Sequence, residues 1–297
     1  MTDVEDWIRA YAEPAGAIEL VHDRPWGTVM RVPFGDRVAW FKACPPVQAF
    51  EPRLTAELHA RWPDRVGEVL RCDLERGWLL LGDAGTPVHT LDDPLDAWLD
   101  ALPRHAELQR GEIAHVAEHL RHGVPDMRVA VLPARYAELL GHELPLEPGE
   151  IAEMRAFAPS YARLCDELAA VGVPDTIQHD DLHHKNLFAH AGGYRVVDWG
   201  DAVISHPFAS LVVTFRFLEK LTGLAPDDPW FARLRDAYLE PWGRGYAEAV
   251  ALALRVGGFA RSFAYTRIRA VLPQQWRELL DAELAIVLRR ALARSRT

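Results

Sequence analysis

Two textures divide the chain. Up to residue 82, short apolar runs read as strands at 17–22, 27–33 and 37–43, and again at 67–73 and 77–82. Asp23-Arg24-Pro25 and Phe34-Gly35-Asp36 supply turns between the first three, which predicts an antiparallel meander. Helices are predicted at 3–13 and at 50–62, where Leu54, Leu58 and Trp62 recur at spacing four. After the first helix the predicted order is therefore β-β-β-α-β-β. Beyond Gly82-Asp83-Ala84-Gly85 the apolar spacing turns helical, over 93–109, 112–121, 130–140, 149–171, 207–222, 231–254, 257–272 and 276–293. One break, at 176–204, interrupts this run. The change of texture places a domain boundary near 83–88, giving an N-terminal domain of residues 1–84 and a C-terminal domain of residues 85–297.

Composition narrows the class. Hydrophobic residues make up 49% and charged residues 26%, an ordinary globular balance that excludes a disordered or collagen-like chain. A net charge of −10 argues against a nucleic-acid partner. The N-terminal MTDVEDW is acidic where a secretory leader would be basic, and no apolar run nears membrane-spanning length. The expectation is a cytoplasmic protein that does not enter a membrane; no feature speaks to its oligomeric state. Cys44, Cys72 and Cys165 include no CxxC pair, so neither a disulfide framework nor a cysteine zinc site is expected. Of the 33 basic residues only Lys42, Lys185 and Lys220 are lysine, which hints at a need for a compact ammonium at those positions. Charge is uneven: residues 1–100 carry net −8, 101–206 net −7 and 207–297 net +5.

The break at 176–204 holds the densest chemistry. It contains His179-Asp180-Asp181-Leu182-His183-His184-Lys185-Asn186 and, twelve residues after the Asn, Asp198-Trp199-Gly200-Asp201. Asp181 and Asn186 are five apart, the spacing of the kinase catalytic loop H-R-D-L-x-x-x-N, and Asp198-Trp199-Gly200 is shaped like D-F-G. One carboxylate can accept the proton of an attacking hydroxyl while an amide oxygen and a second carboxylate hold Mg²⁺ on nucleotide phosphates. Leu187-Phe188 and Tyr194-Arg195-Val196-Val197 read as a hairpin turning on Ala191-Gly192-Gly193. A turn centred on Gly192 pairs residues whose numbers sum to 384, placing Asn186 opposite Asp198. His179, His183 and His184 also admit a metal-dependent phosphohydrolase of the His-Asp type; otherwise His179 braces the loop and the other two are loop residues.

These motifs resemble the aminoglycoside phosphotransferase and choline kinase superfamily, whose HGDLHxxN and IDWxD-type segments correspond to HDDLHHKN and VVDWGD here. Asp180 departs from the pattern, standing where the family often has Gly. The resemblance implies an α+β, bilobal protein-kinase-like fold and transfer of a phosphoryl group from ATP (GTP being the alternative donor) with Mg²⁺ to a hydroxyl of a small molecule. Asp181 then orients the acceptor and takes its proton, and Asn186 and Asp198 hold the metal. It further implies a strand lysine on the phosphates, for which Lys42 fits, paired with a helix glutamate, for which Glu57 is preferred to Glu51. The linker Leu81-Gly82-Asp83-Ala84 would bond adenine through its backbone. Trp26 would cover the nucleotide or belong to the core. Asp201 would contact substrate or cap the following helix, the cap being favoured. No G-x-G-x-x-G is present, which weakens a protein-kinase reading. The net +5 of residues 207–297 turns the acceptor away from polycationic aminoglycosides toward a sugar-bearing or nucleoside antibiotic. A metabolic kinase of a sugar, amino sugar or choline-like alcohol is the alternative, and a nucleotide-binding module without catalysis a further one.

Overall fold

Why one lysine of a strand becomes buried and charged follows from how the elements are laid out. The structure, a computed structural model, describes residues 2–295. In chain order the first elements are α1 (Thr2–Arg9), β1 (Glu19–Arg24), β2 (Gly27–Phe34), β3 (Arg37–Ala43), α2 (Glu51–Arg61), β4 (Val69–Asp73), β5 (Trp78–Gly82) and β6 (Thr86–Pro87). Next come α3 (Asp96–Glu112), α4 (Val116–Arg121), α5 (Leu132–Leu139), α6 (Pro148–Ala170), β7 (Thr176–Gln178), β8 (Leu187–His190), β9 (Gly193–Val196) and β10 (Val203–Ser205). The chain closes with α7 (Leu211–Thr222), α8 (Pro229–Leu239), α9 (Ala247–Ala260), α10 (Ser262–Val271) and α11 (Gln274–Ser295). The fold class is α+β, as expected. Among the described residues no helix is long and apolar enough to cross a membrane.

The chain forms two compact units. The first takes the chain up to Ala97, with Arg121–Val124 and His184–Asp201. Its antiparallel sheet runs in the order β1-β2-β3-β5-β4. Trp7 and Ile8 of α1 pack on Val32, Ala39, Phe41 and Leu80 on one face of it. Trp7 meets Phe41 edge-on at 5.9 Å between ring centroids, and Arg71 of β4 donates to the Trp7 carbonyl at 2.7 Å. Helix α1 stops at Arg9, short of the predicted residue 13, and Pro14 disfavours helical geometry at Glu13.

The second unit takes Trp98–Leu120, Pro125–His183 and the chain from Ala202 onward. At its centre the short strands β7 and β10 pair antiparallel, Ile177 with Ile204, and both are buried throughout. Gln109 of α3 donates to the Ile177 carbonyl at 2.9 Å and to Ser210 Oγ at 2.9 Å, and accepts from the Tyr238 hydroxyl at 2.6 Å. That buried network fixes β7, whose C-terminal end leads into the His179–Asp181 segment. Tyr136, Tyr161 and Phe259 form an aromatic cluster between α5, α6 and α9, the two tyrosines stacked at 4.5 Å. The single helix predicted over 231–254 is two, α8 and α9. Pro241 removes a backbone donor, and Gly243 and Gly245 take φ of 101° and 98°, which no helix accommodates.

Candidate active site

Side chains alternate along β3, so Phe41 points into the α1 core while Lys42 points to the opposite face. There Lys42 Nζ donates to both carboxylate oxygens of Glu51, in the first turn of α2, at 2.6 and 2.8 Å, and to Asp198 Oδ1 at 2.6 Å. The Lys42 and Glu51 side chains are only 11% and 2% exposed, so each needs the other's charge. Burial on its own would lower the Lys42 pKa; Asp198 and Glu51 outweigh it and hold the ammonium well above its ordinary range. Burial pushes Glu51 up against the pull of Lys42. Cys44 Sγ lies 3.2 Å from Glu51 Oε2, and burial, then Glu51, drive its thiol up as well.

Glu57 is not the lysine's partner. Six residues along an α-helix turn a side chain by about 240°, so Glu51 and Glu57 face apart. Glu57 pairs instead with His122, at 3.0 Å. The pair expected between Lys42 and Glu57 is corrected to Lys42 and Glu51.

The hairpin forms with a different register from the expected one. Leu187 faces Val196 and His190 faces Gly193, so the turn is the two residues Ala191-Gly192. Asn186 consequently lies across from Val197, whose N–H donates to the Asn186 carbonyl at 3.0 Å, rather than across from Asp198. Asp198 has left the strand in a left-handed conformation, φ 68°, and that bend brings its carboxylate to Lys42. Asn186 is buried and the Asp198 side chain is 53% exposed. An amide oxygen and a carboxylate are hard donors of the kind Mg²⁺ takes, and the donor set fits that ion.

Leu81 and Gly82 end β5, with Gly82 N donating to the Glu68 carbonyl at 2.8 Å. The Asp83 side chain receives Gly85 N at 2.9 Å, and Ala84 is buried. Gly85, at φ 112°, is obligatory: a Cβ there would lie 2.2 Å from the Ala189 carbonyl of β8. Trp26 is half-buried in the turn between β1 and β2. Asp201 accepts from Gln48 Nε2 at 3.1 Å, and the helical turn that follows, at Pro207, is capped by His206, whose ring nitrogen accepts from Phe208 N.

In the second unit, Asp181 is bracketed by an arginine and two histidine rings. The His179 ring Nδ1 accepts the Asp181 N–H at 3.2 Å. His183 Nε2 is 3.4 Å from Asp181 Oδ2, and its ring packs on Phe217 at 4.5 Å. Arg261, buried where α9 meets α10, donates to Asp181 Oδ1 and Asp180 Oδ2, each at 3.2 Å. Burial would raise the Asp181 pKa, but the His183 hydrogen bond and the Arg261 charge prevail and hold it below the carboxylate range. It is therefore ionised at neutral pH, as a proton acceptor must be. Among the described residues Asp180 and Asp198 are the two non-glycine positions with positive φ, and such strain collects where chemistry needs it. Sequence reading ranks Glu51 second to Glu57, does not mark Gln48, and does not pair Arg261 with Asp181. Arg261 lies 80 residues from Asp181, and no local pattern marks it.

A model of the APH phosphotransferase enzyme family matches residues 37–255. A comparison with curated proteins gave no match. Among solved structures, a choline kinase from Streptococcus pneumoniae is similar at 12% identity and TM-score 0.69, covering 98% of each chain. A Plasmodium vivax ethanolamine kinase is similar at 9% identity and TM-score 0.65, over 93% of this chain and 81% of that one. A thermostable variant of an aminoglycoside phosphotransferase, in a ternary complex with ADP and hygromycin B, is similar at 13% identity and TM-score 0.58, covering 98% of each chain. At such identities the likeness concerns the fold, which is that of these kinases.

Proposed function

The chain belongs to the APH phosphotransferase enzyme family, and from that premise we propose that it transfers a phosphoryl group from ATP with Mg²⁺ to a hydroxyl of a small molecule, an antibiotic. The observation that carries this reading is Lys42 clasped between Glu51 and Asp198, a largely buried ammonium held by two carboxylates. Glu51 keeps Lys42 charged and aimed at the α- and β-phosphates. Asn186 and Asp198 would hold Mg²⁺, which when bound neutralises charge on the phosphates. Asp181 accepts the acceptor's hydroxyl proton as the oxygen bonds to the γ-phosphorus. The bond from that phosphorus to the β–γ bridging oxygen breaks, and ADP leaves. The backbone of Leu81–Ala84 meets the base, with GTP the alternative donor, and Trp26 flanks it.

The net +5 of residues 207–297 favours a sugar-bearing or nucleoside antibiotic over a polycation. The likeness to choline and ethanolamine kinases supports a second reading, a metabolic kinase of a small alcohol or sugar. The test is incubation with Mg–ATP and a panel of nucleoside and macrolide antibiotics, hygromycin B, choline, ethanolamine and sugars. Mass spectrometry reads a gain of about 80 Da for one phosphoryl group. A gain on an antibiotic supports the first reading and a gain on choline or a sugar the second. Phosphate released from a phosphoester without ATP would contradict both.

A further inference from the structure

Two adjacent aspartates share one buried guanidinium. Asp180 is buried and Arg261 more so; Nη1 serves Asp180 while Nη2 serves Asp181. Gln178 Nε2 supplies Asp180 Oδ1 with a further hydrogen bond at 2.9 Å. Asp180 is held at φ 59°, a conformation that glycine adopts freely and other residues seldom take. The Tyr265 ring lies 4.9 Å from the guanidinium carbon, fixing its plane from α10.

Other charged and titratable groups lie around the pair. His179 and His183 face Asp181 from its own segment. From α7, Arg216 lines a small cavity together with Arg261, and from α11 Arg290 and Arg294 line it too. Those last two are engaged by Glu219. Arg261 is bonded to both aspartates. Like charges this close and this buried disfavour joint ionisation unless a cation sits between them.

We propose that Arg261 is a positioning residue for Asp181, its planar fork anchored on Asp180 so that the Asp181 carboxylate is fixed in orientation. This rests on Asp181 being the proton acceptor. The geometry uses what only arginine offers, two parallel donors in a rigid plane, one for each carboxylate. Asp180 and Arg261 are then a matched pair. Asp180 occupies a position where glycine would satisfy the backbone, and its side chain anchors the guanidinium. Removing the cation alone leaves two buried carboxylates in conflict, and removing the Asp180 carboxylate as well relieves that conflict.

The test compares wild type, Arg261→Met, Asp180→Gly and the double variant. ADP release from Mg–ATP is followed with hygromycin B, with choline and with water alone as acceptor, and a crystal structure of each chain locates the Asp181 carboxylate. In Arg261→Met the carboxylate shifts and turnover falls about 10²-fold, the cost of displacing a reacting group by 1 Å, while KM for ATP is unchanged. The double variant relieves the charge conflict but lacks the fork as well, so its turnover stays well below wild type. An Asp181 carboxylate unmoved in Arg261→Met, or a double variant with wild-type turnover, overturns the proposal. Should Arg261→Met not fold, Arg261→Gln, which keeps donors without the charge, replaces it in the same comparison. Asp181→Asn tells the two assignments apart: full turnover there removes the base reading, whereas the carboxylate's position in Arg261→Met judges Arg261 alone.

Discussion

Lys42 lies between two carboxylates that control different properties of it. Glu51 is buried with it and aims it, whereas Asp198, the larger of the two influences on its charge, is half exposed. Glu51→Gln therefore removes the interaction that keeps the ammonium aimed, and Lys42 closes on Asp198 instead. A charge-assisted hydrogen bond is worth about 1.5–3 kcal/mol, so KM for ATP rises about 10- to 100-fold. Glu57→Gln, on the other side of α2, leaves it within about twofold, as surface changes away from a site do. Steady-state kinetics on both variants decides the assignment: equal effects would mean that α2 as a whole, and not Glu51, supports the lysine. Asp181 answers to a different measurement. Asp181→Asn keeps size and loses basicity, so turnover drops about 10²- to 10⁴-fold, the span of general-base catalysis, while calorimetry finds ATP binding intact. Joint loss of binding and turnover would place Asp181 in the nucleotide site rather than at the acceptor.

At the level of elements, the turn after β9 is built to let α2 approach. A Cβ on Gly200 would lie 2.7 Å from Glu51 Oε2 and 2.9 Å from the Gln48 amide. Both neighbours are ends of flexible side chains and Gly200 has no positive φ, so Gly200→Ala folds but displaces Glu51 from Lys42. The expected result is a thermal midpoint within about 2 °C of wild type, consistent with a sub-kcal/mol change, together with a raised KM for ATP. A large drop in midpoint would show that the turn serves folding first. Much of this arrangement can be read from local pattern. The β3 run at 37–43, the helix carrying Glu51 and the Asp181–Asn186–Asp198 spacing all follow from short-range periodicity and motif. Where local pattern misleads, the reason is specific. The hairpin register depends on whether the turn takes two residues or three, and Ala191-Gly192-Gly193 permits both; β9 takes Gly193, at φ 127°, as its first residue. Helices α8 and α9 read as one because apolar spacing continues through Pro241, Gly243 and Gly245. The choice between Glu51 and Glu57 depends on the direction in which α2 faces β3, which is tertiary information. Arg261 is reached only through packing.

For the molecule as a whole, buried titrating groups set the response to acid. Burial, with His179 nearby, depresses His105 to about 3, and burial alone depresses His206 to about 4. Each is neutral in the fold and protonated in the unfolded chain below about pH 6.5, so each makes stability fall as pH drops through that point. Asp175 has the opposite sign. Burial raises it to about 6, so between its ordinary value and that pH it binds a proton only when folded, and acidification favours the fold. Asp181 is depressed, and its contribution is lost only as pH falls below the ordinary carboxylate range. In the window from pH 6 to 4.5 the histidines and Asp175 thus oppose one another. Each proton's difference is worth about 1.4 kcal/mol per pH unit. His105→Gln should flatten the decline of unfolding free energy with acid by about one such unit, and Asp175→Asn should steepen it by about the same amount. Urea titrations at half-unit pH steps measure both slopes. Shifts of the same sign in the two variants would be incompatible with these opposed roles, because the fold would then have to bind a proton at His105 or release one at Asp175.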